Sequence, residues 1–343
     1  MKQIVFERRN TAALWDVEDR MPDAGEVRIK MSFTAVSAGT ERDSLTRDTG
    51  LSGAERNSIG GFPRMSGYSG SGVVENVGAG VEDLHPGDRV MVHGGGHKQY
   101  ATLARGKVIQ LPSEKIDMKD AALTIIAGFS LAAVRKARLE LGESCMVVGL
   151  GLLGLFAVQY AKLCGASPVI AVDFSEERRA LALKLGADCA LDPSQPDHAQ
   201  RVRALTGGRG ANGVIEVTGN GNALNQALLC TARFGRVVLL GCTRDPATVD
   251  FYCDVHCPGI ELIGAHSGAR PRMESHAGWW TEMDDCAVTL KYLAAGRLNF
   301  HDMIQEVHSP MEAPEVYRRL CLERNFPIGV LFDWSQMDEN ASR

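Results

Sequence analysis

The sequence predicts an α/β protein in which a doubly wound parallel sheet accompanies a β domain. After Asp117, six short apolar runs alternate with helical patterns, as a parallel sheet with crossover helices requires. Before that point the chain is rich in glycine, valine and turn signals. Short alternating runs such as 26–31 and 89–92 lie between those turns, which indicates a compact antiparallel or barrel-like β domain.

The six apolar runs are short enough for buried strands, and the segments between them have helical spacing. The predicted strands cover residues 145–148, 169–172, 188–191, 213–217, 236–240 and 260–263. The clearest helices between them are predicted over 175–186 and 222–233. From residue 265 onward the sequence predicts a loop, helices near 282–295 and 312–322, and a closing strand over 327–332.

Composition limits the kinds of partner. The 343 residues are enough for two domains with separate cores, and a formal charge of -5 offers no basic footprint for nucleic acid. No signal peptide and no apolar run of the ~20 residues of a membrane span is recognisable. Nine scattered cysteines suggest reduced thiols, so we expect a cytoplasmic protein that binds neither nucleic acid nor membrane.

A glycine fingerprint follows the first strand of the predicted parallel sheet. Gly149, Gly151 and Gly154 match the G-x-G-x-x-G pattern, with an apolar strand before them and helical spacing after them. The three glycines would permit a tight turn, close approach of a pyrophosphate and close packing of helix on strand. The pyrophosphate would lie on the free N–H groups of the helix N-terminus. This pattern predicts a Rossmann domain that binds a nicotinamide dinucleotide.

The choice between NAD and NADP rests on the end of the second strand. Asp173 stands nineteen residues after Gly154, where a carboxylate accepts the ribose hydroxyls and repels a 2'-phosphate. The cofactor is therefore predicted to be NAD. Arg178 and Arg179 could favour NADP, but they fall inside the helix that Ser175 opens, where a solvated face is the simpler interpretation.

The order of these and other segments resembles the medium-chain dehydrogenase/reductase superfamily, which includes the alcohol and polyol dehydrogenases. The segments that carry the resemblance are Gly72-Val-Val-Glu-Asn-Val-Gly-Ala-Gly80-Val, Pro86-Gly87-Asp88-Arg-Val, Gly149 to Gly154, Leu185-Gly186-Ala187-Asp188 and Arg236-Val-Val-Leu-Leu-Gly241. The resemblance implies a GroES-like β-barrel catalytic domain joined to the Rossmann domain, and a homodimer or homotetramer.

On this basis we expect the catalytic domain over 1–120, the Rossmann domain over 121–264, and a return to the catalytic domain over 265–343. The resemblance also extends the predicted cofactor contacts, with the backbone near His266 meeting the nicotinamide amide. The full predicted set is Gly149, Gly151, Leu152, Leu153, Gly154, Asp173, Thr218, Leu240, Gly241, Ala265, His266 and Ser267.

The positions that bind zinc in many members of the superfamily carry other residues here. A Cys-Gly-Thr-Asp type segment reads Ala38-Gly39-Thr40-Glu41, and a Gly-His-Glu segment reads Gly67-Tyr68-Ser69. The third ligand falls among residues 125–127, which are Ile, Ile and Ala. The cysteine-rich lobe of a structural zinc is replaced by the short segment 93–100, which contains His93 and His97. Zinc prefers Cys, His and carboxylate ligands, so no metal is predicted.

Segment 37–42, Ser-Ala-Gly-Thr-Glu-Arg, also resembles a branch that includes bacteriochlorophyllide dehydrogenases and many unassigned sugar or polyol oxidoreductases. Members of that kind without zinc need another group for the alcohol proton.

Four side chains are candidates for proton transfer. Tyr68 replaces the histidine ligand, so its phenol should face the substrate cleft, although a pKa near ~10 must be lowered before it acts as a base. Thr40 occupies the position of a proton-relaying hydroxyl, and Glu41 could accept a proton or hold Tyr68 in place. His93 leaves its strand near the same cleft and titrates in a useful range. His266 is a further possibility. The alternatives are a pocket wall for Tyr68, a turn residue for His93 and a solvated loop residue for His266.

The loop over 271–282 gathers Trp279 and Trp280 with several polar side chains, which suits a sugar or cyclic polyol ring. Core packing or a subunit contact explains the tryptophans equally well.

Together these features predict a zinc-independent, NAD-dependent oxidoreductase that interconverts a secondary alcohol and a ketone, on a sugar, polyol or ring-bearing alcohol. Two alternatives stay open. One is a zinc-free quinone or enone reductase using NAD(P)H. The other is a non-catalytic dinucleotide-binding sensor.

Overall fold

A computed structural model describes residues 1–47 and 61–339 of the chain. Sixteen strands are present in these ranges: β1 Lys2–Arg8, β2 Thr11–Asp16, β3 Glu26–Ala35, β4 Arg64–Met65, β5 Ser69–Val77, β6 Arg89–His93, β7 Tyr100–Ala104, β8 Val108–Gln110, β9 Cys145–Val148, β10 Val169–Val172, β11 Cys189–Leu191, β12 Ala211–Glu216, β13 Thr231–Leu239, β14 Glu261–Gly264, β15 Ile304–His308 and β16 Gly329–Asp333.

The α-helices of the described ranges are α1 Ala38–Thr46, α2 Met118–Ala122, α3 Thr124–Lys136, α4 Leu152–Leu163, α5 Glu176–Lys184, α6 His198–Leu205, α7 Gly221–Cys230, α8 Glu282–Ala294, α9 Ala313–Leu322 and α10 Gln336–Glu339. A π-helical turn covers Tyr252–His256. None of the described helices is both long and apolar enough to cross a membrane.

The chain divides into two compact units. The first holds residues 1–126 and 286–343, and the second holds residues 127–285. The predicted first boundary, between 120 and 121, lies close to this division. Residues 265–285, which the sequence assigned to the catalytic domain, belong to the second unit instead. The reason is local: Lys136 Nζ, at the end of α3, donates hydrogen bonds to the carbonyl oxygens of Gly264 and Ala269 at 2.8 and 2.7 Å.

The first unit is built mainly from antiparallel strands, and only β15 and β16 of its described strands pair in parallel. One sheet has the order β2-β1-β4, and a second runs β15-β16-β3-β5-β6-β8 with β7 also paired to β3. The long strand β3 pairs with both β5 and β7, so its inward side chains Val27 and Ile29 are buried in one hydrophobic core. Helix α9 packs on this core because its buried residues Ala313, Val316, Tyr317 and Leu320 follow helical spacing.

The second unit contains a six-stranded parallel sheet in the order β11-β10-β9-β12-β13-β14. Strands β9 and β10 consist entirely of buried residues, as expected for central parallel strands covered on both faces. Counted within the unit, the strand order is 3-2-1-4-5-6. That order reverses between β9 and β12, which is where doubly wound sheets bind dinucleotides.

The predicted α/β class with a β domain and a doubly wound sheet is confirmed. All six predicted strands of the parallel sheet are present, with one large difference in their bounds. The helix predicted over 222–233 ends at Cys230, and β13 begins at Thr231 rather than at 236. Thr231 is extended, with φ -80° and ψ 140°, and its hydroxyl donates to the carbonyl of Ala227 at 2.7 Å. This bond caps the end of the helix, and the extended backbone of Thr231 begins the strand.

Candidate functional site

The glycine loop between β9 and α4 has the geometry of a dinucleotide cradle. Gly149 has a φ of +92°, a conformation that L side chains rarely adopt, and a Cβ there would lie 2.8 Å from Thr218 Cγ2. A Cβ on Gly154 would lie 1.9 Å from the carbonyl oxygen of Gly149, so only glycine lets α4 pack this closely. A Cβ on Gly151 would meet open space, which leaves room for a pyrophosphate.

The first turn of α4 completes this cradle. Gly151 is the N-cap residue and offers no side chain, while Leu152 and Leu153 are the first two helical residues. The first N–H groups of a helix have no intrahelical partner and favour an anion. The carbonyl of Leu153 accepts a hydrogen bond from Ser130 Oγ at 2.7 Å, which fixes this turn from the α3 side.

Asp173 lies beside the glycine loop, at the carboxyl end of β10. Its Oδ2 accepts a hydrogen bond from the N–H of Leu150 at 2.8 Å, and its Oδ1 accepts one from the N–H of Ser175 at 2.9 Å. Each oxygen keeps a lone pair for a ribose hydroxyl. Arg179 donates to the carbonyl oxygens of Asp173 and Phe174 at 2.7 and 2.8 Å, so its guanidinium already has partners.

A second set of predicted cofactor contacts follows β12 and β13, beyond the point between β9 and β12 where the strand order reverses. Thr218 is held by the buried carboxylate of Glu216, which accepts hydrogen bonds from the N–H and hydroxyl of Thr218 and from the N–H of Gly219. The backbone N–H groups of Leu240 and Gly241 both donate to the carbonyl of Glu216, at 2.9 and 2.8 Å. Burial raises the pKa of Glu216, and the hydrogen bonds that its carboxylate accepts from Thr218 and Gly219 oppose that shift.

Glu216 was not predicted from the sequence, although an acidic residue at the end of an apolar strand is a signal that could have found it. Its carboxylate fixes the turn after β12, and its backbone carbonyl joins that turn to the residues after β13 at the carboxyl edge of the sheet.

The loop after β14 carries the last predicted cofactor contacts. Ala265 is buried, and its N–H donates to the carbonyl of Leu239 at 3.1 Å. His266 is exposed, and its Nδ1 accepts a hydrogen bond from the N–H of Gly268 at 3.1 Å. The carbonyl of Ser267 accepts from Arg270 Nε at 3.1 Å. The imidazole of His266 therefore belongs to a surface turn.

The two tryptophans lie further along this segment of the second unit. The Arg135 guanidinium carbon lies 4.0 Å from the ring centroid of Trp280, and Lys136 Nζ lies 5.6 Å from that of Trp279. Both rings remain nearly half exposed, at 41% and 48%. The stacking on α3 explains how the rings are held, while their exposed faces stay open to a ligand or to another chain.

In the first unit, the phenol of Tyr68 contacts Ser37, which was not among the predicted site residues. Tyr68 OH lies 2.5 Å from Ser37 Oγ, at the short end of the range for O–H···O hydrogen bonds. Both residues are half-buried. Ser37 is the N-cap residue of α1 but makes no side-chain cap bond, because its hydroxyl is directed to Tyr68 instead. We refer to Ser37 and Tyr68 as the hydroxyl pair.

Glu41 lies in a buried hydrogen-bond network rather than beside the phenol of Tyr68. It is only 1% exposed, and no hydrogen bond joins it to Tyr68 in the described structure. Its Oε1 accepts hydrogen bonds from the N–H of Ser37 and from His97 Nε2, both at 3.1 Å, and its Oε2 accepts one from Tyr317 OH at 2.7 Å. Burial raises the pKa of Tyr317 well above its ordinary value, and the charge of Glu41 adds to that rise. The phenol of Tyr317 is therefore a permanent donor, and the carboxylate of Glu41 holds structure together.

The two other proton-transfer candidates, Thr40 and His93, lie on backbone segments next to those of Ser37 and Tyr68. Thr40 is half-buried in the first turn of α1, three residues after Ser37. His93 ends β6 directly opposite Ser69 of β5, and its Nδ1 lies 3.5 Å from Lys107 Nζ. The next residue, Gly94, donates its N–H to the carbonyl of Tyr68 at 2.8 Å.

The residues at the zinc positions do not fit a catalytic zinc ion. Ala38 packs against the hydrophobic core, and the hydroxyl of Ser69 donates to the carbonyl of Ala122 at 2.5 Å. Ile125 and Ile126 are buried at 0% and 2% exposure and have no ligand atoms. Across residues 1–47 and 61–339, no group of three or more His, Cys, Asp or Glu side chains could hold a metal ion.

Comparisons with known proteins agree with this geometry. The family model of the alcohol dehydrogenase GroES-like domain matches residues 23–113, and that of the zinc-binding dehydrogenases matches residues 153–280. The chain is 30% identical to L-threonine 3-dehydrogenase of Thermococcus kodakarensis over 281 residues, covering 74% of this chain and 78% of that protein. The chain belongs to the medium-chain dehydrogenase/reductase superfamily. The predicted GroES-like and Rossmann domains are thereby confirmed.

Other members of the superfamily match over nearly the whole chain. D-guloside 3-dehydrogenase of Escherichia coli K12 is 28% identical, covering 97% of this chain and all of that protein. The crystal structure of 2R,3R-butanediol dehydrogenase of Bacillus subtilis has a TM-score of 0.80 at 21% identity, covering 97% of this chain and 99% of that one. The named relatives are alcohol and polyol dehydrogenases, so the membership supports alcohol–ketone oxidoreduction on a small molecule.

Solved structures of the same fold include both nicotinamide cofactors. An alcohol dehydrogenase of Escherichia coli CFT073 in complex with NADH has a TM-score of 0.81 at 20% identity, covering 97% of this chain and 99% of that one. A dehydrogenase of Sinorhizobium meliloti bound to NADP has a TM-score of 0.79 at 21% identity, with coverages of 97% and 98%. The choice between the two cofactors depends on this chain's own residues.

Proposed function

We propose that this protein is an NAD-dependent dehydrogenase that interconverts a secondary alcohol and a ketone without zinc, on a sugar, polyol or ring-bearing alcohol. The observation that carries the proposal is the hydroxyl pair. Tyr68 stands in the segment where zinc-bearing relatives place a ligand, and its phenol shares a hydrogen with Ser37 at 2.5 Å. A pair of hydroxyls can replace a metal in handling the alcohol proton, provided that one of them takes it up.

The chemistry needs a hydride acceptor and a proton acceptor. A nicotinamide cofactor held by the glycine loop and Asp173 of the second unit would supply the hydride acceptor. Tyr68 takes the proton of the alcohol oxygen, and Ser37 donates a hydrogen bond to the phenolate oxygen while the proton moves. In the reverse direction the phenol returns that proton to the oxygen of the ketone as the hydride arrives. Thr40 provides a further hydroxyl for orienting the substrate oxygen.

Two observations favour NAD over NADP: the carboxylate of Asp173, and the guanidinium of Arg179, which already donates hydrogen bonds to backbone carbonyls. The Asp173 carboxylate would accept the hydroxyls of the adenosine ribose and repel a 2'-phosphate. Replacement of Asp173 by Ser should lower the preference for NADH over NADPH at least ~10-fold, measured as the ratio of dissociation constants from cofactor fluorescence. An unchanged ratio would remove Asp173 from cofactor selection.

The substrate class is supported by a relative that matches over nearly the whole chain. D-guloside 3-dehydrogenase is named for oxidation of a ring secondary alcohol of a glycoside. A panel of glycosides, cyclitols and linear polyols with NAD, followed by NADH absorbance, tests this class directly. Turnover only with NADPH and an enone would instead establish the reductase alternative. Cofactor binding with no turnover on any substrate would establish the sensor.

Metal independence needs its own measurement. We expect turnover to survive exhaustive chelation, with no stoichiometric zinc found by elemental analysis. Tyr68→Phe keeps the ring and removes only the hydroxyl, and it should lower kcat roughly 10²–10⁴-fold, the usual contribution of a positioned acid–base group. Loss of activity on chelation, restored by zinc, would contradict the proposal.

We also propose a cytoplasmic location and, from the family membership, a homodimer or homotetramer. Light scattering coupled to gel filtration tests the oligomer.

A further inference from the structure

His97 lies on the short segment that replaces the metal-binding lobe of zinc-bearing relatives, and the proposed chemistry does not use it. Its side chain is fully buried and has hydrogen-bonding partners on both ring nitrogens. A buried polar side chain with two partners either stabilises the core or fixes the position of something else. The partners of His97 distinguish these possibilities, because they lead to both members of the hydroxyl pair.

The first connection runs through Glu41 to Ser37. Nε2 of His97 lies 3.1 Å from Oε1 of Glu41, and the same oxygen accepts the N–H of Ser37 at 3.1 Å. A carboxylate only accepts hydrogen bonds, so Nε2 carries the hydrogen. The imidazole thus fixes the carboxylate that holds the backbone of Ser37 in place.

The second connection runs through the backbone to Tyr68. The N–H of His97 donates to the carbonyl of Ser66 at 2.9 Å. Its ring lies against Gly67, where a Cβ would be only 2.7 Å from ring atoms Cγ and Cδ2. Gly67 has a φ of +90°, which favours glycine, and it immediately precedes Tyr68. One residue therefore contacts the segments that present both hydroxyls.

The remaining contacts fix the orientation of the ring itself. Nδ1 of His97 lies 2.8 Å from Oγ1 of Thr34, which also accepts a hydrogen bond from Trp334 Nε1 at 2.9 Å. With that lone pair occupied, the hydroxyl of Thr34 is free to donate to Nδ1. The ring of Phe332 packs edge-on against the imidazole, with 5.5 Å between centroids.

We infer that His97 is a positioning residue that sets the separation and orientation of the Ser37 and Tyr68 hydroxyls. This inference rests on the proposed role of Tyr68 in proton transfer. The connection to Glu41 carries the effect on Ser37, so loss of that connection alone should disturb the hydroxyl pair. A residue that merely fills the core would be replaced equally well by any side chain of similar size.

Two amide substitutions of His97 distinguish the contribution of the Nε2 contact from that of the Nδ1 contact. In His97→Gln the side-chain amide nitrogen reaches the position of Nε2 and keeps the bond to Glu41. In His97→Asn the shorter amide reaches only the position of Nδ1 and keeps the contact with Thr34. His85→Asn, at an exposed histidine of the same unit, is the matched control.

The first readout does not depend on turnover. With 3-fluorotyrosine at position 68 of the full-length protein, the fluorine resonance should keep its wild-type shift in His97→Gln and in His85→Asn. It should move or broaden in His97→Asn. Equal spectra for the two His97 variants would overturn the inference, whether both match the wild type or both differ from it.

The second readout is kinetic. His97→Asn should lower kcat roughly 10²-fold, the loss caused by a misplacement of about 1 Å, with KM within about 3-fold of wild type. His97→Gln should restore kcat to within about 5-fold. In a Tyr68→Phe background, His97→Asn should have no further effect, since the group it positions is gone. The same fractional loss in that background would overturn the inference.

Folding and function are separated by two checks. NADH binding to the second unit should be equal in all variants, and cooperative thermal unfolding shows whether the first unit, which holds His97, is folded. If His97→Asn does not fold, Glu41→Gln weakens the bond to Nε2 without altering the backbone next to Tyr68 and should move the fluorine resonance, and an unchanged resonance would then overturn the inference. If the wild-type protein shows no turnover with any alcohol, the proposed function fails, and the fluorine spectra alone decide the role of His97.

Discussion

At the scale of single residues, the proposed mechanism depends on the hydrogen bond between Tyr68 and Ser37, because the protonation state of the phenol would decide which direction of the reaction is assisted. Their oxygens lie 2.5 Å apart, a distance that suits a neutral pair or a serine that donates to a phenolate. A neutral phenol donates a proton to a developing alkoxide, whereas a phenolate accepts one from an alcohol. Because Ser37 can switch between accepting and donating, the pair remains hydrogen-bonded in both states.

Glu41 illustrates how a polar residue beside such a pair can be purely structural. It accepts hydrogen bonds from Ser37, His97 and Tyr317, and Glu41, His97 and Tyr317 are themselves fully buried. Glu41→Ala would leave three donors without a partner and should lower the free energy of unfolding by about 3–5 kcal/mol. Glu41→Gln keeps the size and most of the bonds, so we expect less than half of that loss.

Urea denaturation at neutral pH measures both values. A loss below about 1 kcal/mol for the alanine variant would show that water reaches Glu41, and would reopen its role in proton transfer.

At the scale of elements, the loop from β9 to α4 separates two uses of glycine. Gly154→Ala places a Cβ against the carbonyl of Gly149, so α4 must move away from β9. We expect a loss of roughly 1–3 kcal/mol in stability, as for other overpacked sites, together with weaker NADH binding. Gly151→Ala puts its Cβ into open space at a φ of -72°, so stability should stay within about 1 kcal/mol of wild type.

The two variants should therefore share one defect and differ in the other. NADH affinity should fall at least ~10-fold in Gly151→Ala, since the new methyl group occupies the space of the pyrophosphate. Thermal unfolding and fluorescence titration of both proteins check this. Normal NADH affinity in Gly151→Ala would mean that the dinucleotide lies elsewhere.

Helix α2 adds a pH-dependent element to the first unit. Burial raises the pKa of Asp120 to about 6, with the charge of Asp117 as the next cause, and Oδ1 of Asp120 is buried without a hydrogen-bond partner in the described structure. A raised pKa means that the folded state holds this proton more tightly than the unfolded state. The resulting stability is present below pH ~4 and is lost as the pH rises through 6.

Asp120→Asn removes this titration while keeping the shape of the side chain. Its stability relative to wild type should increase by about 1–2 kcal/mol between pH 4 and pH 6.5, after allowance for the partial exposure of the carboxyl. Urea denaturation of both proteins across this range provides the measurement. Parallel profiles for the two proteins would show that Asp120 titrates alike in the folded and unfolded states.

At the scale of the whole molecule, local patterns predicted the cofactor unit better than the hydroxyl pair. The glycine loop, Asp173 and the six strands lie within short stretches of sequence whose spacing reports their structure. The environment of Glu41 depends instead on His97 and Tyr317, which lie 56 and 276 residues away along the chain. Neither contact leaves a signal in local spacing. The sequence therefore predicted Glu41 as a proton-transfer candidate and gave no reason to predict Ser37.

The nine cysteines provide a test that covers both units at once, since all of them are free thiols. Four are exposed: Cys164, Cys242, Cys253 and Cys257. Burial raises the pKa of Cys145 to about 12 and that of Cys230 to about 11, so these thiols should be inert in the folded protein. Titration with a chromogenic disulfide reagent at pH 7.5 should label the exposed thiols rapidly and all nine after denaturation without reductant.

The cofactor should change this labelling at one position. Cys242 directly follows Gly241, a predicted cofactor contact, whereas Cys253 and Cys257 lie in or beside the π-helical turn. Saturating NADH should therefore slow the labelling of Cys242 and leave that of Cys257 unchanged, as peptide mapping of the modified protein would show. Equal protection of both would indicate a general tightening of the fold, and no protection of Cys242 would remove the segment after β13 from the cofactor site.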